Sequence, residues 1–462
     1  MGKRDQEHRR ARKRERDARQ RPQTPPRTHT DAAEGPRAGS EPSLRELVES
    51  TLGSVLYAPD DHYHLTLDQG ASALSEPAAR WPQTSRTVLL VTGGMLARLW
   101  QAGWQPADLA RAVRRELTVR HLRLAVDLIA AEARGYASAA LDPRWAGQLR
   151  ELEATAWWGE DDGFLPGVAL RERADRFAVA TLLLELFRLI GRLPPITLLS
   201  PPPGTSGPRT RDAGGGASAG PAFTPKTGTE PRMLGRIRAL LAKAESTDFP
   251  DEAEALTAKA QQLMAQHSID EALLAATSGS GCEPGACRIG IDNPYEAPKA
   301  VLLDAVAEAN RARSVWSKDL GFCTVVGFPA DLEAVELLYT SLLVQATGGL
   351  NSGGSRTKSF RQSFLIAYAS RIRERLSEAT AQATEEALSG EHSGAAAGAA
   401  PGVSLLPVLA ARDEAVREST ERMFPTLKSG RAIRANDYEG WTQGRAAADR
   451  ARLHGQSSAL PH

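Results

Sequence analysis

A glycine-rich loop running into a basic helix start carries the clearest chemical suggestion in the chain. Gly348 to Gly354 is followed by Ser355-Arg356-Thr357-Lys358-Ser359-Phe360-Arg361, then by a helical pattern bearing Phe364, Leu365, Tyr368 and Ile372. Unpaired amides at a helix start, the helix dipole and nearby cations all favour negative charge. Arg356, Lys358 and Arg361 are therefore the candidate anion- or nucleic-acid-binding residues. The segment is not a Walker loop, because the G-K-[ST] spacing is absent and no strand precedes it. A polar flexible loop is the competing reading.

Other residues with chemical potential are sparser. His62 and His64 flank Tyr63 beside Asp60 and Asp61, a pair of the kind that ligates zinc or iron but short of a full set. Cys282-x4-Cys287 needs two further ligands, with Cys323 and His267 the nearby candidates. Trp157-Trp158 before Glu160, Asp161 and Asp162 reads as a loop anchored by indoles. His121 sits on an apolar stripe and reads as a satisfied core histidine. Arg111, Arg114 and Arg115 form a basic face, expected to be solvated or to meet phosphate. The chain contains no HExxH, GxSxG or strand-borne GxGxxG, so no reaction class is named and neither a cofactor nor a metal is expected.

The elements that position these residues follow from pattern. The expected fold class is mainly α: an N-terminal helical domain, a central helical hairpin and a small C-terminal α+β domain. Residues 1–40 hold 12 Lys/Arg against 6 Asp/Glu, a basic tail expected to be disordered, while the rest of the chain carries 45 against 50. Such a tail is a solubilising segment or an electrostatic contact for nucleic acid. Residues 41–199 read as helical. Thr87 to Trp100 forms a buried stretch, one long helix covers about 106–134, and another runs from Arg171 to Ile190. Residues 200–231, with seven Gly and seven Pro, are a linker that makes the first domain separable.

Residues 232–276 form the hairpin. Leu234, Ile237, Leu240, Leu241 and Ala244 make one apolar face. Thr247 or Asp248 caps the next helix, Pro250 occupies its first turn, and Asp251, Glu252 and Glu254 suit its dipole. Ala255, Leu256, Ala260, Leu263 and Met264 line the second helix, with a short third turn at Glu271 to Leu274. The pattern I-x-x-L-L-A-K-A, E-A-E-A, A-x-x-L-M-x-x-H-x-I-D resembles the helical module called domain of unknown function 2786, found in bacterial and phage proteins. That family has no established activity, so the resemblance implies no reaction. It does imply that the following region is the module's usual C-terminal companion domain.

After a second linker at 277–287, residues 288–455 are expected to form the α+β domain, with a disordered insert at about 389–402. Pro298 to Asn310 is helical, Arg313 to Trp316 and Gly321 to Phe328 are strands, and Asp331 to Thr347 is helical. Val403 to Leu409 is expected to complete the sheet, Ala411 to Met423 to be helical, and the segment from Asp437 to be a helix with Gly440 and Gly444 spaced for close packing.

At 462 residues the chain has room for two or three domains. Three cysteines suit reduced thiols, and no secretory signal or membrane span is read, so the expected location is the cytoplasm. These features describe a non-catalytic interaction protein whose basic surface associates with nucleic acid. The alternatives are a purely protein-binding scaffold module, or an enzyme of unrecognised type, with a metal-dependent one included.

Overall fold

A computed structural model describes residues 43–76, 78–137, 141–204, 230–246, 250–278, 283–351, 357–392, 405–427 and 434–450. The fold is mainly α with one small antiparallel sheet. Among the described residues, no helix is long and apolar enough to cross a membrane.

Among the described residues, the first eight α-helices are α1 Leu44–Leu56, α2 Tyr63–Ser75, α3 Trp81–Gln101, α4 Pro106–Glu116, α5 Val119–Ala133, α6 Pro143–Glu151, α7 Phe164–Glu172 and α8 Arg176–Arg192. They enclose a core containing Leu96, Trp100, Leu109, Leu128, Leu165 and Leu184, all nearly or fully inaccessible. The long helix expected over 106–134 is instead two helices. Leu117 is extended, and Thr118 starts α5 by presenting its amide and hydroxyl to His121 Nδ1 at 3.4 and 2.8 Å. A β-branched hydroxyl residue that bonds the backbone locally favours a cap over a helix interior, and here it turns the chain. The two offset apolar stripes thus belong to two helices. His121 is a core histidine as expected: its Nε2 meets Glu185 Oε2 at 2.9 Å. With Nδ1 accepting from Thr118, the ring carries its proton on Nε2 and donates to the carboxylate.

A second core begins with the hairpin, α9 Glu230–Ser246 and α10 Pro250–Ser278. The turn expected to carry the Thr247 or Asp248 cap lies outside the described residues. The separate turn expected at Glu271 to Leu274 is not separate, since α10 continues unbroken to Ser278. No proline or glycine interrupts residues 251–278, and Ile269 and Ala272 bury against neighbours beyond the hairpin. Ile237 and Leu241 of α9 meet Ala260 and Met264 of α10 within the core that the following elements share.

Those elements are β1 Gly285–Gly290, α11 Glu296–Ala309, β2 Arg313–Ser317, β3 Phe322–Gly327, α12 Pro329–Asn351, α13 Lys358–His392, α14 Leu405–Met423 and α15 Tyr438–Arg450. The sheet order is β1-β3-β2 with both pairings antiparallel, and every residue of β3 is buried. Cys323 and Val325 turn one face of β3 to the main core, while Val326 joins Ala286, Phe328 and Val416 on the other. The third strand is β1, not Val403 to Leu409. Leu405 and Leu409 are four apart, and in the helix α14 both bury against Ile269 and Ala272. Gly348 and Gly349 likewise belong to the last turns of α12 rather than to a loop.

The helices α13 and α15 pack backbone to backbone. A Cβ on Gly440 would lie 2.5 Å from Phe360 O, and one on Gly444 would lie 2.3 Å from Phe364 O. The i, i+4 glycines therefore bring one backbone onto the other, as their spacing suggested.

Candidate functional site

At the start of α13, Arg356 lies outside the described residues. Thr357 caps the helix, its Oγ1 accepting from Phe360 N at 3.1 Å, which satisfies one of the first-turn amides. Lys358 is exposed and Arg361 is half-buried. Phe360 and Phe364 point into the core, so the helix is anchored on its apolar side.

A segment distant in sequence joins this helix start. Ser363 Oγ accepts from the amides of Asn436 and Asp437, both at 3.1 Å. Asp437 Oδ1 accepts from Gly440 N at 2.8 Å and starts α15. Beside these bonds an open depression of about 600 Å³ is lined by Arg434, Ala435, Asn436, Asp437, Tyr438 and Trp441. Tyr438 is 85% exposed, a large aromatic face left to solvent. Sequence reasoning missed this neighbourhood because some seventy residues separate Ser363 from Asn436 and nothing local marks the contact.

The other basic candidates have structural partners. Arg111 pairs with Asp292 at 2.7 Å, and Arg115 with Glu296 at 3.0 Å. The basic face expected to be solvated thus docks in part onto the segment around α11. The partners lie about 180 residues away in the chain, which is why the helix pattern alone read as a free surface. Arg114 is exposed.

The same junction contains a fully enclosed ion pair. Arg288 of β1 donates to Asp108 Oδ2 at 2.6 Å and to Gly103 O at 3.0 Å, and a second terminal nitrogen donates to Thr197 O. The two side chains are 2% and 6% exposed. Asp108 also accepts from Gln105 N at 3.1 Å, so one carboxylate both caps α4 and receives the guanidinium. Burial pushes the Asp108 carboxyl up from its ordinary value, and Arg288 draws it back.

The remaining residues singled out by type are accounted for by packing. Trp157 Nε1 donates to Asp127 at 2.7 Å with Arg171 stacked over its ring, and Trp158 packs on Phe164. Asp162 pairs with Arg86 at 2.6 Å and Asp161 with Arg134 at 2.7 Å, so the acidic run serves the loop. His62 sits 3.0 Å from Asp61. Cys282 is outside the described residues. Burial pushes the Cys287 thiol up to about 11 and the Cys323 thiol up to about 12, which favours the protonated form of both at neutral pH. Among the described residues no group of three or more His, Cys, Asp or Glu gathers as a metal site.

Compared with known proteins, residues 232–271 match the family model described as a protein of unknown function (DUF2786). The match covers both hairpin helices up to Glu271. Neither a curated protein nor a solved structure matches the chain.

Proposed function

We propose that the chain is a non-catalytic, cytoplasmic interaction protein that associates with nucleic acid through the start of α13. The observation that carries this reading is that Ser363, two residues on from Arg361, binds the amides of Asn436 and Asp437, which line the depression with Arg434, Tyr438 and Trp441. Cations at a capped helix start suit phosphate, and an exposed aromatic ring suits a base, each for a separate physical reason. Arg356 belongs to the same run of sequence and is proposed to add a third charge. The region after the hairpin is proposed to be the module's companion domain, which accords with the core that Ile237, Leu241 and Met264 share with Leu303 and Val335.

The test is titration of the purified chain with DNA and RNA oligonucleotides across a range of salt. Binding that weakens with salt, and weakens further in Lys358→Ala and Arg361→Ala, supports the reading. Absence of binding at low salt, or binding insensitive to salt, contradicts it.

A further inference from the structure

Four polar side chains that this reading does not use meet where α10, α12 and α14 converge. One terminal nitrogen of Arg412 lies 3.6 Å from Glu271 Oε2 and 3.5 Å from Asp331 Oδ2. These distances give charge attraction without good hydrogen bonds. Asp331 is 2% exposed and Arg412 9%, while Glu271 retains 26%. Arg412 also lies 3.8 Å above the Phe328 ring. From α10, Ser268 lowers the Asp331 carboxyl, though its buried hydroxyl makes no hydrogen bond among the described residues; from the turn before β2, Arg311 lowers it too, but it is held by Asp413 at 3.2 Å. With Arg311 and Asp413 cancelling, two carboxylates share one guanidinium, leaving an excess of one negative charge in a site largely closed to water.

We infer that this joint is a proton-operated clamp between the second helix of the DUF2786-like hairpin and α14. When Asp331 takes up a proton, the excess charge disappears and a carboxyl O–H becomes available to Glu271 or Ser268, while Arg412 keeps Glu271 as its counter-ion. When the proton leaves, the buried Asp331 carboxylate and the partly exposed Glu271 carboxylate repel and the joint loosens. The proton goes to Asp331 because it is the more deeply buried acid. Burial pushes its carboxyl up to about 6, Glu271 adds to the rise, and Arg412, Ser268 and Arg311 oppose it. The joint lies between two apolar patches of α14, Leu405 and Leu409 facing Ile269 and Ala272 on one side, and Val416 facing Ala286, Val326 and Phe328 on the other. This inference stands independently of nucleic-acid association.

Hydrogen exchange of the full chain, corrected for intrinsic rates, tests it. Local opening at residues 268–272 and 405–416 is expected to be about tenfold rarer near pH 5 than near pH 7.5. Asp331→Asn should abolish that difference, and Glu271→Gln should move its midpoint to lower pH by removing the neighbouring negative charge. Exchange in α8 serves as the control for overall folding. The same pH response in Asp331→Asn as in the parent chain overturns the clamp. Should that variant fail to fold, an unmoved midpoint in Glu271→Gln overturns it equally.

Discussion

Arg288 reaches out of the sheet and closes on Asp108, 2.6 Å away and 180 residues earlier, with both side chains sealed from water. The pair joins β1 to the first turn of α4, and two backbone carbonyls, Gly103 O and Thr197 O, also accept from the guanidinium. A buried ion pair adds little net stability over a well-packed apolar pair, but losing one member strands the other.

Replacing Arg288 with Met should therefore cost about 3–5 kcal/mol in urea unfolding, since Asp108 and the two carbonyls lose their donor. Removing both charges together, as Arg288→Met with Asp108→Asn, should recover a substantial part of that loss. A single variant as stable as the parent would show that the pair does not hold the junction.

Gly444→Ala should destabilise the pairing of α13 with α15. The added Cβ would sit 2.3 Å from Phe364 O, a backbone atom that cannot swing aside. Forcing the helices apart is expected to cost about 1–3 kcal/mol, seen as a lower urea midpoint. Helix propensity alone would make the same substitution stabilising by up to about 1 kcal/mol, so the sign decides between the two effects.

Stability should also depend on pH through Asp331. Its folded carboxyl titrates near 6 against an ordinary value of 3.8, so between those values the folded chain binds the proton that the unfolded chain has released. This contribution is fully present below about pH 3.8 and disappears as the pH rises through about 6. Asp331→Asn should thus be more stable than the parent near pH 7.5 by up to about 3 kcal/mol, with the difference shrinking towards pH 4. A parent-minus-variant difference that stays flat with pH would contradict the assignment.

Much of the architecture was legible because apolar spacing is local. Ile237 and Leu241 sit on one turn-to-turn face, and the short β-rich run Phe322–Gly327 marks a strand whichever partner it finds. Where two local signals competed, the reading failed: the stripe through Leu117 continues into α5, yet Thr118 caps and turns the chain. The apolar run from Val403 suits a strand or a helix equally, and its burial against Ile269, more than a hundred residues away, decides for helix. The candidate site was half legible. Lys358 and Arg361 announce themselves by charge at a helix start, whereas Tyr438 and Trp441 arrive only through the fold-back that Ser363 secures. Arg111 and Arg115 show the converse, a charge pattern whose partners, Asp292 and Glu296, only the tertiary structure supplies.

The most direct test of the account is the salt dependence of oligonucleotide binding by the parent chain and by Lys358→Ala/Arg361→Ala. If these two cations meet phosphate, the slope of log affinity against log salt should become shallower by about 1.4–1.8 in the double variant, according to whether the strand is single or double. A parent chain that binds with a slope unchanged by the double substitution, or that does not bind at all, would contradict the proposed interface.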